Sequence, residues 1–292
     1  MIDIHPELPE VLFKYTSEAG LLSILRNKSL RFSRPTRFND LYDAKLQLSA
    51  GYDREAVISG ALEKLYASIS GEDQTPLVGS MGALIESMRP KFSEDSDKEQ
   101  LFAELRLGLE ESLDNLPDLL KKYEPEFEAH FQLSKILCLS SDGYSPPMWG
   151  NYADNLKGAA VGFTPTVEAD SLFLTAKPIR YLDKRPALLD EEPLIEQLSA
   201  RSKNDPDEIS ERIVFTKAMA WQYEAEWRIV AGHGWKPESE TEQVQFHIGD
   251  LRYIVLGTRF DLEKVAEVKE LMATFPNARL MYLSDDYSFI EA

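Results

Sequence analysis

Near the N-terminus, short apolar runs with strand character flank one amphipathic helical stretch. Residues 11–17 (VLFKYTS) have the alternation and aromatic content of a strand. Residues 18–30 (EAGLLSILRNKSL) then repeat apolar side chains at helical spacing, and Ser17 with Glu18 marks the start of that helix. A second strand, LRFS, follows and ends in the polar loop RPTRFND. The pattern predicts a compact unit of strand, helix, strand and loop.

The pattern of apolar and polar residues changes between residues 52 and 133, where long stretches with helical spacing contain many acidic side chains. No repeat unit occurs in this region. We expect a helical insertion with a solvated acidic face in residues 52–133. Residues 1–51 and 134–292 then form one α+β core, so that 1–292 is a single domain.

Strand patterns return after residue 133, with SKILCLSS, GAAVGF, AKPIRYL, QVQFHIGDLRYIVLG and ARLMYLS separated by loops and helical stretches. A loop rich in glycine and proline, SDGYSPP, leads into the short helix MWGNYADN. The fold class that we predict is α+β. A central mixed, largely antiparallel sheet carries flanking helices and the acidic helical insertion.

The composition fits a globular protein with a large negative charge. The chain has 292 residues, of which 43% are hydrophobic, and its formal net charge is -18. Such a charge repels phosphate backbones and anionic membranes, so we expect no non-specific binding of nucleic acid. The N-terminus lacks the features of a secretory signal, and no apolar run is long enough to cross a bilayer. We therefore expect a soluble, cytoplasmic protein without a membrane partner.

A cationic segment is the first candidate for chemistry. Arginine and lysine side chains crowd residues 26–37, before any acidic residue appears at Asp40. The planar guanidinium group suits phosphate, so one interpretation is a phosphate or pyrophosphate site formed by Arg31, Arg34 and Arg37. The other interpretation is that these arginines pair with acidic side chains on the surface.

Two further motifs each have a structural and a functional interpretation. In FNDLYDA, Asn39, Asp40 and Asp43 either tie a turn to its own backbone or offer ligands for a divalent metal. In MWGNYADN, Trp149 and Tyr152 are three residues apart and therefore neighbours on a helix. Their rings either pack in the core or stack on a planar ligand.

The segment WQYEAEWRIV, residues 221–230, has the pattern of a helix end that runs into a strand. Side chains two residues apart share a strand face, which places Glu224, Glu226 and Arg228 together. Arg228 then neutralises one glutamate while the other stays free, and we expect Glu226 to be the functional carboxylate with Glu224 as its support. In the alternative, the row only stabilises the strand.

Several common signatures of chemistry do not occur. The four histidines, His5, His130, His233 and His247, show no metal-ligand spacing, so we predict no metal ligands. Neither a phosphate-binding glycine loop nor a nucleophile-elbow serine is present. The single cysteine, Cys138, lies in the apolar run KILCL, which favours a buried, inert thiol.

The chain resembles a bacterial domain-of-unknown-function family in the order of its segments LFKYTS, LRFSRPTRFNDLYDA, LCLSS, MWGNYADNLKGAAVGF, Lys217 with WQYEAEWRIV, and YIVLG. That family is recognised by FND-x-x-D/E, MW-x-x-YA and E-x-EWR motifs. More remotely, the chain is similar to the ADP-ribosyltransferase fold, which implies NAD on the first strand at Tyr15 and Thr16. It also implies a middle-strand residue, Ser140 or Tyr152, and a catalytic glutamate at Glu226. The first strand, KYTS, departs from the usual histidine or arginine.

The resemblance implies an NAD-using transferase or NAD-cleaving effector, with a role in defence against phage. Its catalytic residues are then Glu226, Glu224 and Tyr15. The expected NAD-binding residues are Thr16, Arg31, Arg34, Arg37, Asn39, Asp40, Trp149, Tyr152 and Arg228. Two alternatives stay open. One is a non-catalytic module that binds a nucleotide or a protein partner, and the other is a metal-dependent enzyme that uses Asp40, Asp43 and both glutamates on phosphodiesters.

Overall fold

The computed structural model describes residues 4–40, 43, 52–91, 98–183, 190–202 and 213–291. The chain divides into two compact units. The first consists of Met1–Ala44, His130–Lys184 and Phe215–Ala292, and the second of Lys45–Ala129 and Arg185–Val214. Residues 185–214, which we expected in the α+β core, therefore group with the second unit.

Helices and a large, mostly antiparallel sheet together confirm the α+β class. The strands are β1 (Leu12–Thr16), β2 (Ser29–Ser33), β3 (Ile136–Ser140), β4 (Ala159–Phe163), β5 (Lys177–Pro178), β6 (Arg180–Leu182), β7 (Thr216–Ala218), β8 (Glu226–Val230), β9 (Thr241–Gln245), β10 (Leu251–Leu256), β11 (Arg279–Leu283) and β12 (Phe289–Glu291). The helices are α1 (Glu18–Asn27), α2 (Arg54–Ser70), α3 (Gly79–Met88), α4 (Lys98–Leu133), α5 (Pro146–Tyr152), α6 (Glu191–Leu198) and α7 (Val265–Met272).

The main sheet of the first unit has ten strands. Its longest path runs β12-β11-β10-β4-β1-β3-β2-β9, and β8 joins it by pairing with both β3 and β5. Only the β10 and β11 pair is parallel among these described strands. The short strands β6 and β7 pair in parallel as a separate ribbon.

The sheet branches at β3. Along one edge, β3 pairs with β8 over its whole length, from Ile136 to Ser140. Along the other edge, Ser140 pairs with Phe13 of β1, whereas Ile136 pairs with Ser33 of β2. Because a strand has only two edges, β1 and β2 share the second edge and diverge from one another along it. This divergence opens the sheet in front of β3.

Helix α1 forms as its sequence predicts. Ser17 is the N-cap, and its side chain accepts a hydrogen bond from the backbone N–H of Gly20. The helix ends at Lys28, which adopts a left-handed conformation with φ of 53°. Its apolar stripe is buried in the core of the first unit, as expected, and comprises Leu21, Leu22, Ile24 and Leu25.

The second unit is helical and has its own apolar core, formed mainly by α2 and α6 with parts of α3 and α4. Gly60 of α2 faces Ile195 of α6 so closely that a Cβ atom there would lie 2.8 Å from Ile195 Cδ1. Lys64 of α2 also forms ion pairs with Glu192 and Glu196 of α6. Among the described residues of the whole chain, no helix is long and apolar enough to cross a membrane.

Candidate functional site

A cavity of about 550 Å³ lies in the first unit, where β1 and β2 diverge. Its walls come from residues of β1, β2 and β3, from the start of α1, and from the segment between Lys217 and Glu226. Ligand sites in proteins commonly enclose roughly 300–1,000 Å³, so the cavity has the size of a small-molecule site. Polar and charged side chains from separate parts of the chain converge on it.

One end of the cavity holds a cluster of three carboxylates around one ammonium group. Lys217 Nζ lies 2.9 Å from Glu226 Oε2 and 3.5 Å from Asp43 Oδ2, and it also donates a hydrogen bond to Glu224 Oε2. All four side chains are at most 7% exposed. At such burial the ionic contacts are little screened by water and salt.

Arg228 closes the cluster from the side of the core. Its Nε and Nη2 atoms donate to the two oxygens of Glu226 at 2.7 and 3.1 Å, and Nη2 donates to Asp43 Oδ2 at 2.6 Å. Its guanidinium carbon lies 5.2 Å from the centre of the Phe38 ring. Burial by itself would raise the pKa of Glu226, but the charges of Arg228 and Lys217 outweigh it and hold this pKa well below its usual range. Glu226 is therefore ionised at neutral pH at the cavity wall, and it is the glutamate that Arg228 pairs with, not one that stays free.

Glu224 lies in a different environment from Glu226. Its Oε1 atom accepts a hydrogen bond of 2.5 Å from the Tyr152 hydroxyl, and its backbone carbonyl accepts one of 2.7 Å from Ser140 Oγ. Burial raises the pKa of Glu224, and the ammonium of Lys217 opposes this rise only in part. Two neighbouring carboxylates thus have pKa values shifted in opposite directions, an arrangement that is common where acid and base roles are divided.

The backbone around Ala225 explains how the two glutamates meet. A 3₁₀ helix spans Met219–Glu224, and β8 starts at Glu226, so the predicted helix end running into a strand is confirmed. We had expected Glu224 to lie on the strand and to share a face with Glu226. That prediction is wrong, because Glu224 precedes the strand. Ala225 instead adopts a left-handed conformation with φ of 41° and turns the chain there. The backbone N–H of Glu226 donates to Tyr181 Oη at 2.7 Å, which holds the strand start in place.

Cationic side chains line other parts of the same cavity. Arg31 on β2 and Arg37 in the 3₁₀ helix Pro35–Arg37 are exposed, and Arg37 forms an ion pair of 2.9 Å with Glu240. Lys14 on β1 donates from Nζ to the carbonyl of Cys138 at 2.9 Å. Burial lowers the pKa of Lys14, and it raises the pKa of the Cys138 thiol. Cys138 is nevertheless only half-buried and lines the cavity, so the prediction of a buried thiol is wrong.

The short helix α5 supports the cavity from below. Trp149 is fully buried, donates from Nε1 to the carbonyl of Gly143 at 3.0 Å, and meets the Tyr15 ring edge-on at 5.3 Å. The Tyr15 hydroxyl donates to the carbonyl of Asp142 at 2.8 Å, and burial raises the pKa of Tyr15. Trp149 and Tyr15 thus form a rigid floor in which only the tyrosine reaches the cavity.

Most of the expected site residues meet at this cavity. The lining includes Tyr15, Thr16, Arg31, Arg37, Asn39, Asp40, Tyr152, Glu224 and Glu226. Three others do not line it: Arg34, Trp149 and Arg228. Arg34 instead bonds the carbonyl of Pro237, and Arg228 stands behind Glu226. Because Trp149 has no exposed surface, its ring packs in the core and does not stack on a ligand, which corrects the functional interpretation of this residue.

Two lining residues of the acidic end, Lys217 and Trp221, belong to the segments that carry the family resemblance, but we predicted no site role for them. The Trp221 ring covers the Lys217 ammonium at 5.1 Å from its centre. Lys217 precedes Glu224 by seven residues, a spacing that carries no helical or strand signal across the intervening 3₁₀ helix.

The cluster does not resemble a metal site. In the part of the chain that the structure describes, no group of three or more histidine, cysteine, aspartate or glutamate side chains is arranged to hold a metal ion. Lys217 and Arg228 already bond at least one oxygen of each of the three carboxylates, whereas Asp43 Oδ1 is buried without a hydrogen-bond partner. This geometry weighs against a metal-dependent reaction at Asp43 and the two glutamates.

Part of the chain matches a known protein family. Residues 148–229 match a family described as "Protein of unknown function (DUF2971)". The matched span begins within α5, ends within β8, and supports an uncharacterised domain family for this part of the chain. No curated protein and no solved structure matches the chain.

Proposed function

We propose that the cavity binds NAD and cleaves the bond between its nicotinamide and the adjoining ribose, so that ADP-ribose passes to an acceptor or to water. The observation that carries this proposal is the pairing of a cationic wall, Arg31 and Arg37, with an ionised carboxylate, Glu226, inside one cavity. A dinucleotide has both a pyrophosphate and ribose hydroxyls, which call for these two kinds of group.

The chemistry needs a fixed negative charge near the ribose. When the bond between ribose C1′ and the nicotinamide nitrogen breaks, its electron pair leaves with the neutral nicotinamide and positive charge develops on the ribose. Glu226 stays ionised and is held by Arg228, so it can stabilise that charge without reorganising. A hydroxyl group or water then attacks C1′ and releases one proton. Glu224, paired with Tyr152, is placed to receive it.

Other lining residues would bind different parts of the NAD molecule. Arg31 and Arg37 are exposed guanidinium groups that can each bind the pyrophosphate in a bidentate manner. The Tyr15 hydroxyl is occupied by the carbonyl of Asp142, so Tyr15 contributes ring surface rather than a proton. A role in defence against phage stays a prediction.

A second candidate function, a non-catalytic module that binds a nucleotide or a protein, is favoured by one observation. Both glutamates already have cationic partners, Lys217 and Arg228, and a cluster of buried ion pairs can serve structure alone. The two functions differ in whether bound NAD is turned over.

Incubation of the protein with NAD, followed by measurement of released nicotinamide, tests the proposal. We expect release by the wild type and a loss of about 100-fold or more with Glu226→Gln, the size typical of removing one preorganised electrostatic group. The double variant Arg31→Ala/Arg37→Ala should weaken NAD binding. Arg26→Ala is the matched control, since Arg26 is an exposed arginine that pairs with Glu267 outside the cavity.

Thermal unfolding in the presence of NAD completes the test, because a ligand that binds the folded state raises the melting temperature. Stabilisation by NAD without nicotinamide release would establish the binding module instead. A wild type that neither releases nicotinamide nor gains stability from NAD would show the proposal to be wrong.

A further inference from the structure

One lysine ammonium touches both glutamates of the site. We propose that Lys217 is a positioning residue that holds the carboxylates of Glu224 and Glu226 side by side at the cavity wall. This inference rests on the proposed function, since it concerns the residues that would act on the ribose and the acceptor. Lys217 itself would contact neither, because its ammonium is already occupied by carboxylates.

The contacts of Lys217 place it between the two glutamates. It donates to Oε2 of Glu224 and to Oε2 of Glu226, so one nitrogen joins an atom from each carboxylate. Arg228 lies on the other side of Glu226 and bonds Asp43. The side chain of Lys217 is 7% exposed, and its position is therefore set by the protein and not by solvent.

Two carboxylates at this separation need a cation between them. Like charges a few ångströms apart repel strongly at low dielectric, and without compensation one of the pair takes up a proton. Burial would lower the pKa of Lys217, but Glu226, Asp43 and Glu224 outweigh it and raise this pKa, so the ammonium keeps its proton. Lys217 can then neither accept a proton nor attack a carbon atom, and it acts only through its neighbours.

The local fold holds Lys217 in register with the strand that it serves. Lys217 lies on β7 opposite Tyr181 of β6, and the Tyr181 hydroxyl accepts the hydrogen bond from the Glu226 backbone N–H. The two-stranded ribbon thus fixes both the backbone and the side chain of Glu226. The charged and titratable groups that interact with Lys217 and the two glutamates are Lys14, Asp43, Cys138, Tyr152, Tyr181, Tyr223 and Arg228.

The test compares Lys217→Met with Lys217→Arg, which keeps the charge, and with Lys264→Met, which removes an exposed lysine that pairs with Glu267. Nicotinamide release is measured from about pH 4 to about pH 9, because carboxyl groups and histidines titrate in roughly this range. In Lys217→Met, we expect the acid limb of the pH profile to move upward by about one pH unit or more, since an opposite charge shifts a carboxyl pKa by that amount. Lys217→Arg should restore the limb, and Lys264→Met should leave it in place.

A purely structural lysine would lower activity at every pH without moving the acid limb, and that result would overturn the inference. If Lys217→Met does not fold, Lys217→Gln removes the charge but keeps hydrogen-bond donors, and the same shift is expected. Circular dichroism of each variant checks folding before the kinetics.

A readout without turnover separates this inference from the proposed function. Carboxyl resonances of ¹³C-labelled glutamate are titrated in the protein without NAD, and the buried pair should protonate at higher pH in Lys217→Met than in the wild type or Lys217→Arg. If the wild type releases no nicotinamide, the proposed function fails, yet this titration still decides the role of Lys217. Unchanged titration in Lys217→Met would show that Lys217 does not govern the pair.

Discussion

At the scale of single residues, Arg228 has the largest structural role in the acidic cluster. It is fully buried and bonds both Glu226 and Asp43. We predict that Arg228→Met lowers the free energy of unfolding by about 3–5 kcal/mol, because it leaves two buried carboxylates without their guanidinium partner. Urea unfolding followed by tryptophan fluorescence measures the change.

An exposed ion pair provides the comparison for Arg228. The side chains of Arg26 and Glu267 are 54% and 31% exposed. Arg26→Met should change the free energy of unfolding by less than about 1 kcal/mol, since water and salt screen such a pair. Equal losses in Arg26→Met and Arg228→Met would contradict the view that burial makes the Arg228 contacts costly to break.

The sequence predicted some of these contacts and not others, for a physical reason. Glu226 and Arg228 lie two apart on one strand, and strand parity alone predicts their meeting. Lys217 reaches the same cluster from β7, across an intervening 3₁₀ helix, and Asp43 reaches it from a distant part of the chain. Contacts of that kind depend on how strands pair, and no local spacing encodes them.

At the scale of elements, the junction between α5 and β4 is unusually tight. Three consecutive residues, Asp154, Asn155 and Leu156, have positive φ, and the chain then enters β4 through Gly158. A Cβ atom on Gly158 would lie 2.0 Å from the backbone oxygen of Thr16, at the end of β1. This close approach ties β1, a wall of the cavity, to the α5 motif.

We predict that Gly158→Ala destabilises the fold by about 1–3 kcal/mol or more, because a backbone atom cannot move aside as a side chain can. Gly150→Ala is the matched control. Gly150 lies inside α5 and has no atom near its missing Cβ, so alanine there should be neutral or stabilise by up to about 1 kcal/mol. Thermal unfolding of both variants measures this, and a Gly158→Ala protein as stable as Gly150→Ala would contradict it.

Local elements were more predictable than their arrangement. The order β1, α1, β2 follows from the periodicity of residues 11–33, and the N-cap at Ser17 marks the helix start. The branch at β3 cannot be predicted from local periodicity, because the pairing of β3 with β1, β2 and β8 joins residues about a hundred positions apart. The cavity exists because of that branch, so its presence could not be derived from local pattern.

At the scale of the whole molecule, the chain leaves the α+β unit twice to build the helical one. The long helical pattern of residues 52–133 predicts the first of these two segments. The second, which contains α6, is short and polar, and it groups with α2 through contacts such as Gly60 with Ile195. A helix of only about two turns, such as α6, does not show from its sequence which other helix it packs against. For this reason we predicted residues 185–214 to belong to the α+β core.

The charge cluster should also be visible in how the stability of the whole protein depends on pH. Because the folded-state pKa of Glu226 is lowered, the unfolded chain binds a proton to this group more readily than the folded protein does. The stabilisation from Glu226 is therefore complete above the unfolded value of about 4.3, and it is lost as pH falls below that value. Glu226→Gln should be less stable than the wild type at pH 7, and the difference should shrink as pH approaches 3 (about one unit below that unfolded value).

Urea unfolding at several pH values between these limits measures the difference. The exposed Glu168, replaced by glutamine, is the control, and its difference from the wild type should stay small at every pH. Glu224 works in the opposite direction, since burial raises its pKa, so its stabilising effect is greatest when it is protonated and declines as pH rises. A gap between Glu226→Gln and the wild type that widened in acid would mean that Arg228 and Lys217 do not hold Glu226 in its ionised form.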